Sequence, residues 1–230
     1  MREVLTNSVY FGVVLTLICY EIGLVIKKKT GFALANPLLI ASIIIIGILI
    51  FLDMEYEAYQ ESVQPIRFLL TPATVCLAIP LYRQLTLLKK YPVAILGGIS
   101  SGVLTTMVSI YLMSLAFGLT HEQYVTLLPK SITTAIGMGV SQKMGGIVTI
   151  TVVSICITGI LGNVIAQVWL KLCKIEDPIA KGLAIGTSAH ALGTTKAMEM
   201  GEIEGAMSSL SIVVTGILTV IAIPIFASFI

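Results

Sequence analysis

The sequence predicts an all-α, multi-pass membrane protein with about five full spans and three short segments broken by glycine or proline. Three observations carry that expectation: composition, the length of the apolar stretches, and a texture that recurs along the chain. Of 230 residues, 57% are hydrophobic and 11% charged, with a mean hydropathy of +1.01. A soluble domain carries about 25% charged residues, so too few are present to coat a water-facing surface. The net charge of +2 is too small to suggest nucleic acid as a partner. Basic residues gather in short clusters, Lys27 to Lys29 and then Arg83, Lys89 and Lys90, which read as cytoplasmic anchors.

Taken in order, residues 4–26 form the first apolar stretch. It has no basic lead-in beyond Arg2 and no small-residue cleavage pattern, so it is expected to remain as a span. Residues 37–52 are short for a crossing, which takes about 20 helical residues; Pro37 suits the first turn of that helix. The acidic stretch 53–61 has no basic residue and is expected to be an extracytoplasmic loop. Residues 92–119, 146–170 and 205–230 are the remaining full spans. The four cysteines, Cys19, Cys76, Cys156 and Cys173, show no metal or redox spacing and are expected to be small buried hydrophobes.

The broken segments are 68–82, 127–145 and 181–200. A helix of about 12 to 15 residues falls well short of a hydrocarbon core of about 30 Å, so half-helices, re-entrant hairpins or unwound spans fit better than crossings. An internal repeat groups them. SICITGIL at 154–161 matches SIVVTGIL at 211–218, an offset of 57 residues with six identities in eight, and the broken segments recur at a similar spacing. The expected organisation is one transmembrane domain over 1–230, with two leading helices in 1–62 and repeat units in 63–119, 120–176 and 177–230. Repeats with interrupted helices are a secondary-transporter pattern. The distribution of Lys and Arg favours re-entrant second and third segments over three crossings.

The polar residues of the second and third segments are the candidate site: Lys130, Ser131, Thr133 and Thr134, then Thr187, Ser188, His190, Thr194, Thr195 and Lys196. Hydroxyls, backbone N–H groups at a half-helix start and a cation together suit a small carboxylate anion. Two other readings stay open. Ser, Thr and Gly also line ordinary helix contacts in membranes while lysines snorkel to the interface, and His190 can serve as a proton carrier. No metal cluster, nucleotide motif or Ser/His/Asp arrangement occurs, so no cofactor and no enzymatic activity are expected.

NPLLIA (36–41), PATVCLAIPLYRQ (72–84), LLPKSITTAI (127–136) and DPIAKGLAIGTSAHALGTTKAMEMGEIEGAMSSL (177–210) resemble the LrgB/CidB family of bacterial inner-membrane proteins from residue 36 onward. The resemblance implies an antiholin-like or holin-like protein that acts with a small LrgA- or CidA-type membrane partner on murein hydrolase activity and lysis. Related plastid proteins imply export of glycolate and glycerate, and some bacterial pairs imply pyruvate uptake. Two classes of function follow: a carrier of small monocarboxylates, or a regulator packing on its partner through small-residue faces such as Gly97-Gly98 and the Gly159 to Gly162 stretch. Self-association is compatible with either.

Overall fold

The computed structural model describes residues 10–30, 37–69, 72, 75, 76, 79, 82 and 85–230. The start of the first span, Asn36, Arg83 and most of the first broken segment lie outside the described residues. No strand occurs among those described, and the chain divides into two compact units, Met1–Val75 and Cys76–Ile230.

The first unit holds α1 (Phe11–Thr30), α2 (Pro37–Leu52), α3 (Tyr56–Ser62) and α4 (Gln64–Phe68). Helix α1 closes on Lys27, Lys28 and Lys29, where cations complement the negative end of the helix. Close approach of its small residues organises this unit: a Cβ on Gly23 would lie 2.6 Å from the Pro37 carbonyl oxygen. The Thr16 hydroxyl lies 2.8 Å from the Tyr59 hydroxyl. The acidic stretch expected as a loop is largely helical, because Tyr56–Ser62 forms α3; only the turn at Asp53, with φ 50°, and its neighbours are irregular.

The second unit contains α5 (Leu85–Lys90), α6 (Pro92–Phe117), α7 (His121–Leu127), α8 (Thr134–Lys143), α9 (Val148–Leu172), α10 (Pro178–Met200) and α11 (Glu202–Ala227). Among the described helices α6, α9 and α11 are long and apolar enough to cross a membrane, and α2 is apolar but shorter. Three of the five expected spans thus reach that length among the described residues; the expected first span, 4–26, begins outside them. Helix α6 starts at Pro92 and stops at Gly118, whose φ of 61° makes a left-handed cap that a residue with a side chain adopts only with strain. Helix α7 opens with a reciprocal capping box between Thr120 and Gln123, satisfying two otherwise orphaned donors. Helix α11 begins three residues before the expected Gly205, its first turn carrying Glu202 and Glu204, which suit a helix start.

The core runs along one face of α6, through Ile95, Ile99, Val103, Met107 and Ile110, against Tyr124, Leu183, Met207, Leu210 and Ile223. Their spacing of three and four residues keeps them on one stripe. The opposite pattern marks the other side of α9, where Ile150, Val153, Ile157, Leu161, Ile165, Val168 and Leu172 are exposed. In water such a stripe would be an adhesive patch; in hydrocarbon it is the ordinary lipid face. Of the cysteines expected to be buried, Cys19 is, Cys156 is half-buried, and Cys76 and Cys173 are exposed; Cys173 sits at the C-cap of α9, beyond the packed part of that helix.

Candidate functional site

Helix α10 is not a straight rod. Its regular backbone fails at one residue, His190, with φ 43° and ψ −140°. The chain then doubles back. A Cβ on Gly193 would lie 3.0 Å from Ile185 Cγ2 and 3.3 Å from the Ile185 carbonyl oxygen, although eight residues of continuous helix would hold the two roughly 12 Å apart. Lys181 at one end and Lys196 and Met200 at the other line the same cavity with Lys171, Lys174 and Glu204. The expected interruption within 181–200 is therefore a hairpin of two helical arms with His190 at its tip.

The first arm is capped by Asp177, whose Oδ1 accepts from the Ala180 N–H at 2.8 Å, followed by Pro178 in the first turn. Its Gly182 and Gly186, four residues apart, let the backbone of α11 approach closely: a Cβ on Gly182 would lie 2.5 Å from the Glu204 carbonyl oxygen and 3.1 Å from the Ser208 nitrogen. This is the small-xxx-small contact by which membrane helices associate when apolar burial supplies little driving force. The second arm is tied to the same helix by Thr194, whose hydroxyl lies 2.7 Å from that of Ser208 and donates to the His190 carbonyl at 2.9 Å.

Helix α9 holds the tip. His190 is 3% exposed, and its Nε2 lies 3.0 Å from the Ile155 carbonyl oxygen; a carbonyl only accepts, so Nε2 carries the proton. A Cβ on Gly159 would lie 2.7 Å from His190 Cε1 and 2.8 Å from Leu192. The Asn163 amide donates to the Leu192 carbonyl at 2.8 Å and to the Thr195 hydroxyl at 2.9 Å. Gly159 and Gly162, expected as a face for a partner protein, are thus covered by α10 of the same chain, Gly162 by Ala189. The wide space beside Gly97 and the distant contact of Gly98 with Leu183 at 3.7 Å leave that pair less enclosed.

The second broken segment folds back in the same manner. A Cβ on Gly137 would lie 3.6 Å from the Pro129 carbonyl oxygen, and one on Gly146 would lie 2.7 Å from Ser141 Oγ and 3.0 Å from Thr126 Oγ1. Thr151 of α9 staples the open end: its hydroxyl lies 2.8 Å from the Thr126 carbonyl oxygen and 2.7 Å from Ser141 Oγ. The turn between α7 and α8 carries Lys130, which donates to Ser131 Oγ at 3.2 Å. Ser131 and Thr133 are buried, Thr133 capping α8 through its backbone with a hydroxyl that has no partner. Thr134 opens α8.

The two fold-backs meet at a cavity of about 470 Å³ lined by Lys130, Thr158, Ser188 and the apolar side chains of Leu161, Ile165, Trp169 and Ile185. Lys130 is the one charged group among the described residues lining it, and it lies within electrostatic reach of His190. The sequence candidates divide. Lys130 and Ser188 come together in this cavity; His190, Ser131 and Thr194 are buried behind it; Thr187 faces a second cavity. Thr195 and Lys196 lie on the outward arm, Lys196 paired with Glu199 at 3.0 Å. Thr158, Asn163 and Trp169 escaped the sequence reading. Asn163 had a legible signal, an amide inside an apolar span.

The family model described as LrgB-like matches residues 16–229. The chain belongs to the LrgB-like family. It is 40% identical over 226 residues to the antiholin-like protein LrgB of Bacillus mycoides (strain KBAB4), covering 98% of each chain. The antiholin-like LrgB proteins of Bacillus cereus (strain B4264) and Bacillus anthracis (strain CDC 684 / NRRL 3495) are 39% identical over the same coverage. No solved structure matches. The LrgB-like chain described above is a membrane protein with several apolar helices.

Proposed function

We propose that this LrgB-like protein is an antiholin-like regulator of murein hydrolase activity and lysis that works through secondary transport of small monocarboxylates, together with a small LrgA- or CidA-type partner in the bacterial inner membrane. The observation that carries the reading is Lys130, one ammonium in an otherwise largely apolar cavity bounded by two fold-back segments. A lysine held at bilayer depth costs about 2.5 to 3.5 kcal/mol on insertion scales. A bound carboxylate cancels that charge and gives the ammonium a charged acceptor beside the Ser131 hydroxyl. The loaded cavity then carries no net charge, so movement of one repeat against another crosses the low-dielectric region more easily when substrate is present. Thr158 supplies a hydroxyl for a 2-oxo or 2-hydroxy group, and the apolar wall suits a short carbon chain. Both fold-backs are re-entrant in this reading, entering and leaving on one side.

Uptake of labelled pyruvate, glycolate and lactate into proteoliposomes, with and without the small partner, tests it. Lys130→Met should lower initial uptake about tenfold or more, the loss of one charge-assisted contact, whereas Lys27→Ala should leave it near the parent value. Normal uptake by Lys130→Met with loss of lysis control would instead make the segment a partner interface.

A further inference from the structure

A second cavity of about 560 Å³ lies on the other side of the first arm of α10, against α6, with Ala184 and Ser188 lining both. Its chemistry is the reverse of the first. Asp177 is the one charged group among the described residues lining it, and an ionised carboxylate only accepts.

Three of the five hydroxyls that line it are acceptors too. Ser101 donates to the Gly98 carbonyl at 2.8 Å, Thr105 to the Ser101 carbonyl at 2.7 Å and Ser188 to the Ala184 carbonyl at 2.7 Å. A hydroxyl has one proton, so these three have committed theirs to their own helices and present lone pairs to the space. Thr187 is different. It is 5% exposed, its hydroxyl has no hydrogen-bond partner, and it lines the same cavity. A buried polar atom left unpaired calls for a ligand.

We propose that this cavity binds a monovalent alkali cation, Na⁺, entering past Asp177 and held beneath it by the oxygens of Ser101, Thr105, Ser188 and the unpartnered Thr187. The charge of Asp177 disfavours an anion here, and among the described residues no group of three His, Cys, Asp or Glu exists to hold a transition metal. Hydroxyl and carbonyl oxygens are the ligands that broken-helix transporters offer to coupling ions. Because one helical arm separates this space from Lys130, a cation on one side favours an anion on the other. That coupling rests on the carrier reading; the cation site itself does not.

The test is thermal unfolding of the purified full-length chain in detergent at fixed ionic strength and pH, with NaCl replaced stepwise by choline chloride. Na⁺ should raise the melting temperature saturably, as a ligand of the folded state does. Thr187→Val should weaken the apparent Na⁺ affinity about tenfold or more, while Thr187→Ser and Lys130→Met retain it. Should Thr187→Val fail to fold, the Ser101→Ala, Thr105→Val pair on the outer wall should show the same loss. Equal melting of the parent chain in Na⁺ and choline overturns the site, as does an unchanged affinity in the hydroxyl variants or stabilisation that follows pH alone. Na⁺ binding without carboxylate uptake would keep the cation site and remove the carrier; Na⁺-independent uptake with no melting response would do the opposite.

Discussion

Asn163 on α9 reaches across to the Leu192 carbonyl at 2.8 Å, so one amide in an apolar helix fastens the returning arm just past its tip. The same group also donates to the Thr195 hydroxyl at 2.9 Å. Leu192 is close to the start of the arm, where the backbone has just left the regular helix.

Asn163→Leu, which keeps the bulk and removes both donors, should destabilise the folded chain by about 1 to 3 kcal/mol and reduce uptake through the shape of the hairpin. Asn163→Gln should recover part of the loss if its longer amide reaches the same acceptors. The measurement is the melting temperature in detergent alongside initial uptake; unchanged values for Asn163→Leu would refute a fastening role.

His190 separates two contributions that a single substitution would mix. Its ring bonds to Ile155, and its backbone sits at φ 43°, a region that costs a non-glycine residue about 1 to 3 kcal/mol and glycine far less. His190→Ala should lose the hydrogen bond and keep the strain; His190→Gly loses the same bond but relaxes the turn. His190→Gly should therefore melt higher than His190→Ala. The reverse order would mean that the tip is not held in this conformation.

Gly159 has no room for a side chain, since a Cβ would meet His190 and Leu192 at 2.7 to 2.8 Å. Gly159→Ala should cost about 1 to 3 kcal/mol by overpacking, whereas Gly97→Ala, with open space around it, should cost little. Equal melting temperatures for the two variants would contradict the close contact of α9 with the tip.

Orientation is tested by cysteine labelling. The basic residues Lys27 to Lys29 at the end of α1 should be cytoplasmic, and the acidic turn and α3 external. Cysteines at positions 28 and 57 should differ in reaction with an impermeant thiol reagent on intact cells, position 57 labelling and position 28 not. Reaction at position 28 alone would invert the arrangement.

The interruption within 181–200 was legible because glycine, serine and threonine are concentrated there in a chain that is otherwise apolar. Its form as a hairpin needed tertiary information: nothing local distinguishes His190 as the breaking residue, and the contact of Gly193 with Ile185 spans the break. Lys130 was legible as a charge among hydroxyls in a broken segment. Its separation from Lys196 was not, because the two occupy comparable places in the sequence while fold-back sends one to a tip and the other to an open end. The glycines of α9 signal close approach without saying whose backbone approaches, and here it is that of α10. The helical content of 53–61 was hidden by its charge, which speaks for exposure and not against a helix.

The break at one residue also sets the direction of the last helix. With α10 doubled back, the end of α9 at Lys171 and the start of α11 at Glu204 face the same cavity, so α9 and α11 run in opposite directions. Were residues 178–200 a single straight rod, α11 would stand the other way up, its acidic first turn on the opposite side. A lone departure from helical geometry thus sets which way α11 runs, and any variant that straightened it would be expected to misplace a whole helix and not merely bend one.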